Sequence, residues 1–161
     1  MPANYPAPAD HAIETLFAGL VTVPTHVASA AADDPGRDTT GIFAEFVTDD
    51  DELAALAYAD HDVVNFVGGA MLGLEQEAMT DASEKSLVLD DGLEGFREVV
   101  NVFASCLNTD FTKHLRLRDV HRLPGQLGDD VKQLWRQPNG RRAYRVSVDD
   151  VGAGNLILYL A

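Results

Sequence analysis

A carboxylate and a carboxamide three positions apart, Glu98 and Asn101, are the pair in this sequence best placed to do chemistry. They fall in a stretch, Asp91 to about Asp110, whose apolar residues recur with a helical period. On a wheel at about 100° per residue, Leu93, Phe96, Val100, Phe103 and Leu107 fall together, with Val99 and Cys106 beside them. Glu94, Glu98, Asn101, Ser105 and Asn108 fall on the opposite side, within a band of about 80°. At this spacing Glu98 and Asn101 project side by side. The amide can accept through its C=O and donate through its NH2, so it can hold a small polar molecule in one orientation. No histidine stands beside Asn101 to act as a base. The bland reading of such a pair is solvated helix surface.

The other reactive residue types carry less. His11, His26, His61, His114 and His121 show no metal-ligand spacing such as i, i+4 on a helix. Asp49-Asp50-Asp51 resembles the start of a calcium loop, but the positions that need Gly and Glu hold Ala54 and Asp60. Cys106 lies near the apolar side of its helix and has no His or Asn partner in view, so it reads as a small hydrophobe. Gly69-x3-Gly73 lacks the Lys-Ser/Thr of a phosphate loop and reads as a helix-packing feature.

The elements that must position the pair can be read in outline. Pro2, Pro6 and Pro8 make residues 1–9 an extended, mobile lead-in, and residues 10–161 form the single domain. Asp10 can cap a first helix, in which Ile13, Leu16, Phe17, Leu20 and Val21 make a core-facing stripe. His26 to Ala32 can be a strand; Ile42 to Val47 and Leu53 to Ala59 read as a hairpin with acidic tips. Asp60 or Asp62 can cap a second helix, Val63 to about Leu74. Gly68 and Gly69 weaken its middle by about 1 kcal/mol each relative to Ala, and read as a place where another backbone comes close. Glu75 to Glu84 is a polar stretch. After the third helix, Leu115, Leu117, Val131, Leu134 and Trp135 mark short strands. Pro138-Asn139-Gly140 signals a hairpin turn, Tyr144, Val146 and Val148 alternate, and Leu156 to Leu160 is a last apolar strand. Strands grouped apart from helices indicate an α+β fold.

The pair also stands in a longer pattern. Glu98-Val-Val-Asn101 is followed, after 22 intervening residues, by Pro124. This resembles the Asp/Ser-x3-Glu-x2-Asn-x22-Pro signature of the CheC/CheX/FliY chemotaxis phosphatases. Phe66-Val-Gly-Gly-Ala-Met-Leu-Gly73 is similar to the helix ending in Met-Leu-Gly that precedes the signature helix in that family. The order of the other elements agrees from about residue 10 to residue 161. Three positions depart from the pattern. Glu94 replaces the family's Asp or Ser, Ser105 stands where a Gly is frequent, and Glu14-Thr-Leu-Phe17 carries Phe where a second copy would have its amide. One site per chain makes a CheX-like member the best match.

The resemblance implies a CheC-like fold, one mainly antiparallel sheet with two long helices packed on one face. It implies an enzyme that hydrolyses the aspartyl phosphate of a CheY-type response regulator, with Glu98 and Asn101 catalytic and Glu94, Arg97 and Ser105 meeting the partner. Asn101 would orient the attacking water, and Glu98 would meet the regulator's active-site Lys. Mg²⁺ would arrive on the regulator, leaving this chain no cofactor or metal of its own. A homodimer joined through the sheets is implied too. The alternative is an adaptor of the same fold that binds a regulator or flagellar-switch component without turnover, a reading that Glu94 and Ser105 favour.

Composition bounds the partners. The 161 residues carry 12 Lys+Arg against 26 Asp+Glu, a formal net charge of −14, which disfavours nucleic acid and anionic membrane. The charge is uneven: residues 1–96 hold 19 acidic and 2 basic side chains, residues 97–161 hold 7 and 10. One cysteine permits no intrachain disulfide, and neither a signal peptide nor a membrane-length apolar run is present, so a cytoplasmic location is expected.

Overall fold

The computed structural model describes residues 5–30, 41–108, 113–122, 124–137 and 140–161. Helix α1 (Asp10–Leu20) leads to strands β1 (Thr25–Ala30), β2 (Gly41–Thr48) and β3 (Leu53–Asp60). Helix α2 follows in three continuous parts: His61–Val63, a wider π-turn Val64–Gly68, and Gly69–Met71. Then come α3 (Gln76–Glu84), α4 (Asp90–Leu107), β4 (Leu115–His121), a 3-10 turn at Pro124–Gln126, α5 (Asp129–Arg136), β5 (Arg141–Val148) and β6 (Gly152–Leu160). The strands form one antiparallel sheet in the order β1-β5-β6-β3-β2-β4. The α+β expectation holds.

Period-two alternation sorts the central strands between two cores. Ile42, Ala44, Phe46, Ala55, Ala57, Leu156 and Leu158 face the larger one, with Ile13 and Phe17 of α1, Val64 and Val67 of α2, and the apolar side of α4. Phe43, Leu56, Tyr58, Ile157 and Tyr159 face the other way, against Leu127, Val131 and Leu134. Because both faces are covered, β2 is buried along its whole length and β3 along all but its end residues. Glu45 is the charged residue among these buried positions. Its buried carboxylate accepts from Arg118 Nε at 2.8 Å and lies 3.1 Å from His121 Nε2, so β4 neutralises it.

Four expectations are corrected. Val131, Leu134 and Trp135 lie on a helix, α5, not on short strands. Their i, i+3, i+4 spacing puts them on one helix face, and Asp129 and Asp130 complement the dipole of its first turn. The stretch Glu75 to Glu84 is helical from Gln76, held by Met79 and Ala82. The second helix ends at Met71 rather than Leu74. Asp10 opens α1 but does not cap it: its carboxylate accepts from Ser29 N at 3.0 Å and Ser29 Oγ at 2.6 Å. Glu14 likewise accepts from Val27 N at 3.0 Å, so α1 occupies donors on the outer edge of β1. Of the expected Pro138-Asn139-Gly140 turn, Pro138 and Asn139 lie outside the described residues.

The lead-in from Tyr5 to Ala9 is extended but packed, since Tyr5 and Pro8 are buried. The Tyr144 hydroxyl donates to Pro8 O at 2.7 Å, and burial, with Asp10 nearby, pushes this phenol up to about 12. Below its ordinary value of about 10 the phenol is neutral in both the folded and unfolded chain. Above it the unfolded chain ionises first, so stability is expected to fall between about pH 10 and pH 12. Burial raises Tyr58 as well, with the same sign. Thermal melts across this range check the point: Tyr144→Phe should make the alkaline decline shallower.

Candidate functional site

The sequence of α4 separates into two sides. Leu93, Phe96, Val99, Val100, Phe103 and Leu107 are buried, and the α4 core includes Phe103 packed against Phe17 and Phe46, with ring centroids 6.5 and 6.1 Å apart. Glu94, Arg97, Glu98, Asn101 and Ser105 are all exposed. The structure therefore brings every proposed site residue onto one rod, with Glu98 and Asn101 neighbours across one turn.

What fixes the rod is a close helix crossing. A Cβ on Gly68 would stand 2.0 Å from Gly92 O and 2.7 Å from Phe96 N, and one on Gly95 would stand 2.1 Å from Gly68 O. Glycine at these positions lets the α2 and α4 backbones touch, as expected for Gly68. Gly69 makes a different contact, with the side chain of Met79 on α3.

Asn65, fully buried in the π-turn, completes the support. Its Nδ2 donates to Leu87 O at 2.7 Å and Ser83 Oγ at 3.1 Å, and its Oδ1 accepts from Leu89 N at 2.9 Å. These bonds tie down the connection that enters α4 and so set where the helix begins. Sequence reasoning missed Asn65, Gly92 and Gly95. The available signals were an amide inside the apolar run Val63-Val64-Asn65-Phe66-Val67 and a Gly-x2-Gly spacing at the border of the apolar stripe.

The electrostatics of the strip are acidic. Asp90, Asp91, Glu94 and Glu98 are exposed along the first three turns, where the first two complement the helix dipole. Arg122 pairs with Asp90 at 2.6 Å, bringing one basic residue of the later half to the foot of the helix. Asn108, beyond the far end of the strip, is engaged structurally: its Oδ1 accepts from Leu115 N at 2.7 Å and its Nδ2 donates to Leu115 O at 3.3 Å.

The remaining candidates separate cleanly. Phe17 is core, and Glu14 is bonded to β1, so the Glu14-x2-Phe17 segment of α1 holds no second pair. Cys106 is half-buried, and burial pushes its thiol up, away from the thiolate a nucleophile needs. Among the described residues no group of three or more His, Cys, Asp or Glu could hold a metal ion. Among the same residues no helix is long and apolar enough to cross a membrane.

No family model matches the sequence, and no curated protein matches it. Solved structures do match the fold. The FliM–SpeE complex from H. pylori aligns with a TM-score of 0.68 at 6% identity, over 94% of this chain and 80% of that one. Thermotoga maritima FliY aligns at 0.54 and 11% identity, over 96% and 84%. The CheX–CheY–BeF3–Mg²⁺ complex from Borrelia burgdorferi aligns at 0.54 and 10% identity, over 92% of each chain. At the level of fold, this chain is of the CheC/CheX/FliY type.

Proposed function

We propose that this protein hydrolyses the aspartyl phosphate of a phosphorylated CheY-type response regulator. The observation that carries the reading is the exposed Glu98–Asn101 pair on a helix locked by glycine contacts, within a fold shared with CheX and FliY. An acyl phosphate is already reactive and its transition state is loose, so placing water in line is the main task. The Asn101 C=O accepts from that water and its NH2 donates toward a phosphoryl oxygen. Water attacks phosphorus, the bond to the aspartyl oxygen breaks, and carboxylate and inorganic phosphate leave. Mg²⁺ comes on the regulator and offsets the repulsion between its phosphoryl group and the acidic strip. Glu98 meets the regulator's Lys, and Glu94, Arg97 and Ser105 line the contact.

The test is phosphate release from a panel of phosphorylated regulators with Mg²⁺. Acceleration of one of them is expected; no acceleration of any overturns the reading. Glu98→Ala should weaken binding about tenfold while leaving the rate at saturation near that of the native protein, checked by titrating the responding regulator.

A second reading, an adaptor without turnover, is favoured by Ser105, exposed where the related signature frequently has Gly, and by the match to FliM in complex with SpeE and with FliG. Capture of a regulator or flagellar-switch protein without faster phosphate release selects it. Either reading carries a cytoplasmic location and a homodimer. Since α1 occupies donors on the outer edge of β1, we place the joining edge at β4. Sedimentation should then show a dimer, and a monomer at all concentrations overturns the pairing.

A further inference from the structure

Two large apolar side chains are exposed among the described residues, Leu72 at 47% and Leu87 at 57%. Single exposed leucines are ordinary on a monomer surface. Leu72 differs in where it is held. It ends α2, its N–H bonding to Gly68 O at 3.3 Å. The chain then turns at Gly73, in the left-handed region at φ 73°, and Leu74 N returns to Gly69 O at 2.9 Å. The side chain rests beside α4 at Gly95, where an added Cβ would lie 3.1 Å from Leu72 Cγ. On α4 the neighbours of Gly95 at i−4 and i+3 are Asp91 and Glu98, with half-buried Val102 at i+7. An apolar knob is thus pinned along the flank of the acidic strip, next to Glu98.

We propose that Leu72 is a docking contact for the same partner, packing on an apolar patch at the rim of a receiver domain's phosphorylation cleft. This rests on the regulator reading above. The charge around the knob selects that occupant: Asp91, Glu94 and Glu98 favour a surface that carries cations, as a cleft holding Mg²⁺ and Lys does. Charge alone leaves a helix free to slide or roll against such a cleft. A fixed apolar point to one side of Glu98 sets both register and rotation, and so aims Asn101. Leu87 lacks this placement: it precedes α4 in the connection whose carbonyl Asn65 holds, and among the described residues no contact sets it beside Gly95.

The test titrates the native protein and Leu72→Ser, Leu72→Met and Leu87→Ser against a receiver domain loaded with beryllofluoride and Mg²⁺, with melting temperatures as the fold check. Leu72→Ser should bind about tenfold more weakly, the scale of burying half a leucine. Its single-turnover rate at saturation should fall as well, since Asn101 is no longer aimed; Leu72→Met should retain affinity and rate, and Leu87→Ser should bind as the native protein does. Native affinity in Leu72→Ser, or equal losses at 72 and 87, overturns the inference and leaves the regulator reading standing. A native protein that binds no loaded receiver overturns both.

Discussion

Replacing Asn101 by alanine is expected to leave the fold intact and to cut phosphate release from a bound, phosphorylated regulator by about 10²-fold or more. The side chain is exposed and packs no core, so the melting temperature should change by no more than an effect of about 0.5 kcal/mol produces. The loss follows from the chemistry of the amide. Its C=O and NH2 are the two groups proposed to hold water in line with phosphorus, and alanine has neither. A factor of 10² corresponds to about 2.7 kcal/mol of transition-state stabilisation, within the reach of positioning alone. Binding should persist through Glu98 and the rest of the strip. Single-turnover release at saturating Asn101→Ala protein is the measurement; a rate equal to that of the native protein removes Asn101 from the mechanism.

Gly68→Ala should produce the largest loss of stability, about 3 kcal/mol or more. Its new methyl would stand 2.0 Å from Gly92 O and 2.7 Å from Phe96 N, and both are backbone atoms of α4 that cannot swing aside. The helices must separate, which loosens the core beneath α4 and strains the Asn65 bonds at its entrance. For a chain of this size the shift is about 6 to 12 °C in melting temperature. The same substitution at Gly19, where an added Cβ meets nothing within 4 Å, should cost far less and serves as the control. Equal melting temperatures for the two variants would show that the crossing does not hold the helix in place.

How far the sequence was legible depended on whether an element meets one core or two. In α4 one side is buried and the other wet, so a 3.6-residue period separated Phe96 and Phe103 from Glu98 and Asn101. The hairpin of β2 and β3 was legible as runs apolar on both faces, broken in β2 by Glu45, because both faces are covered. In α5 only Val131, Leu134 and half-buried Trp135 touch the sheet, too few positions for the period to stand out over eight residues. The helix α3 carries still less, since Met79 and Ala82 are its only buried residues. Of the site, periodicity told which side chains face outward. It did not tell what holds them there, because Asn65, Gly92 and Gly95 act through contacts between segments about 25 residues apart in the chain.

The carboxylates of Asp10 and Glu14 on Ser29 and Val27 have one more effect. A bare strand at the rim of a sheet is a template on which foreign backbone can lengthen into a fibril. Here two rungs of that template are already filled by the protein's own first helix. Crowded copies meet side chains on that flank instead of unanswered amides.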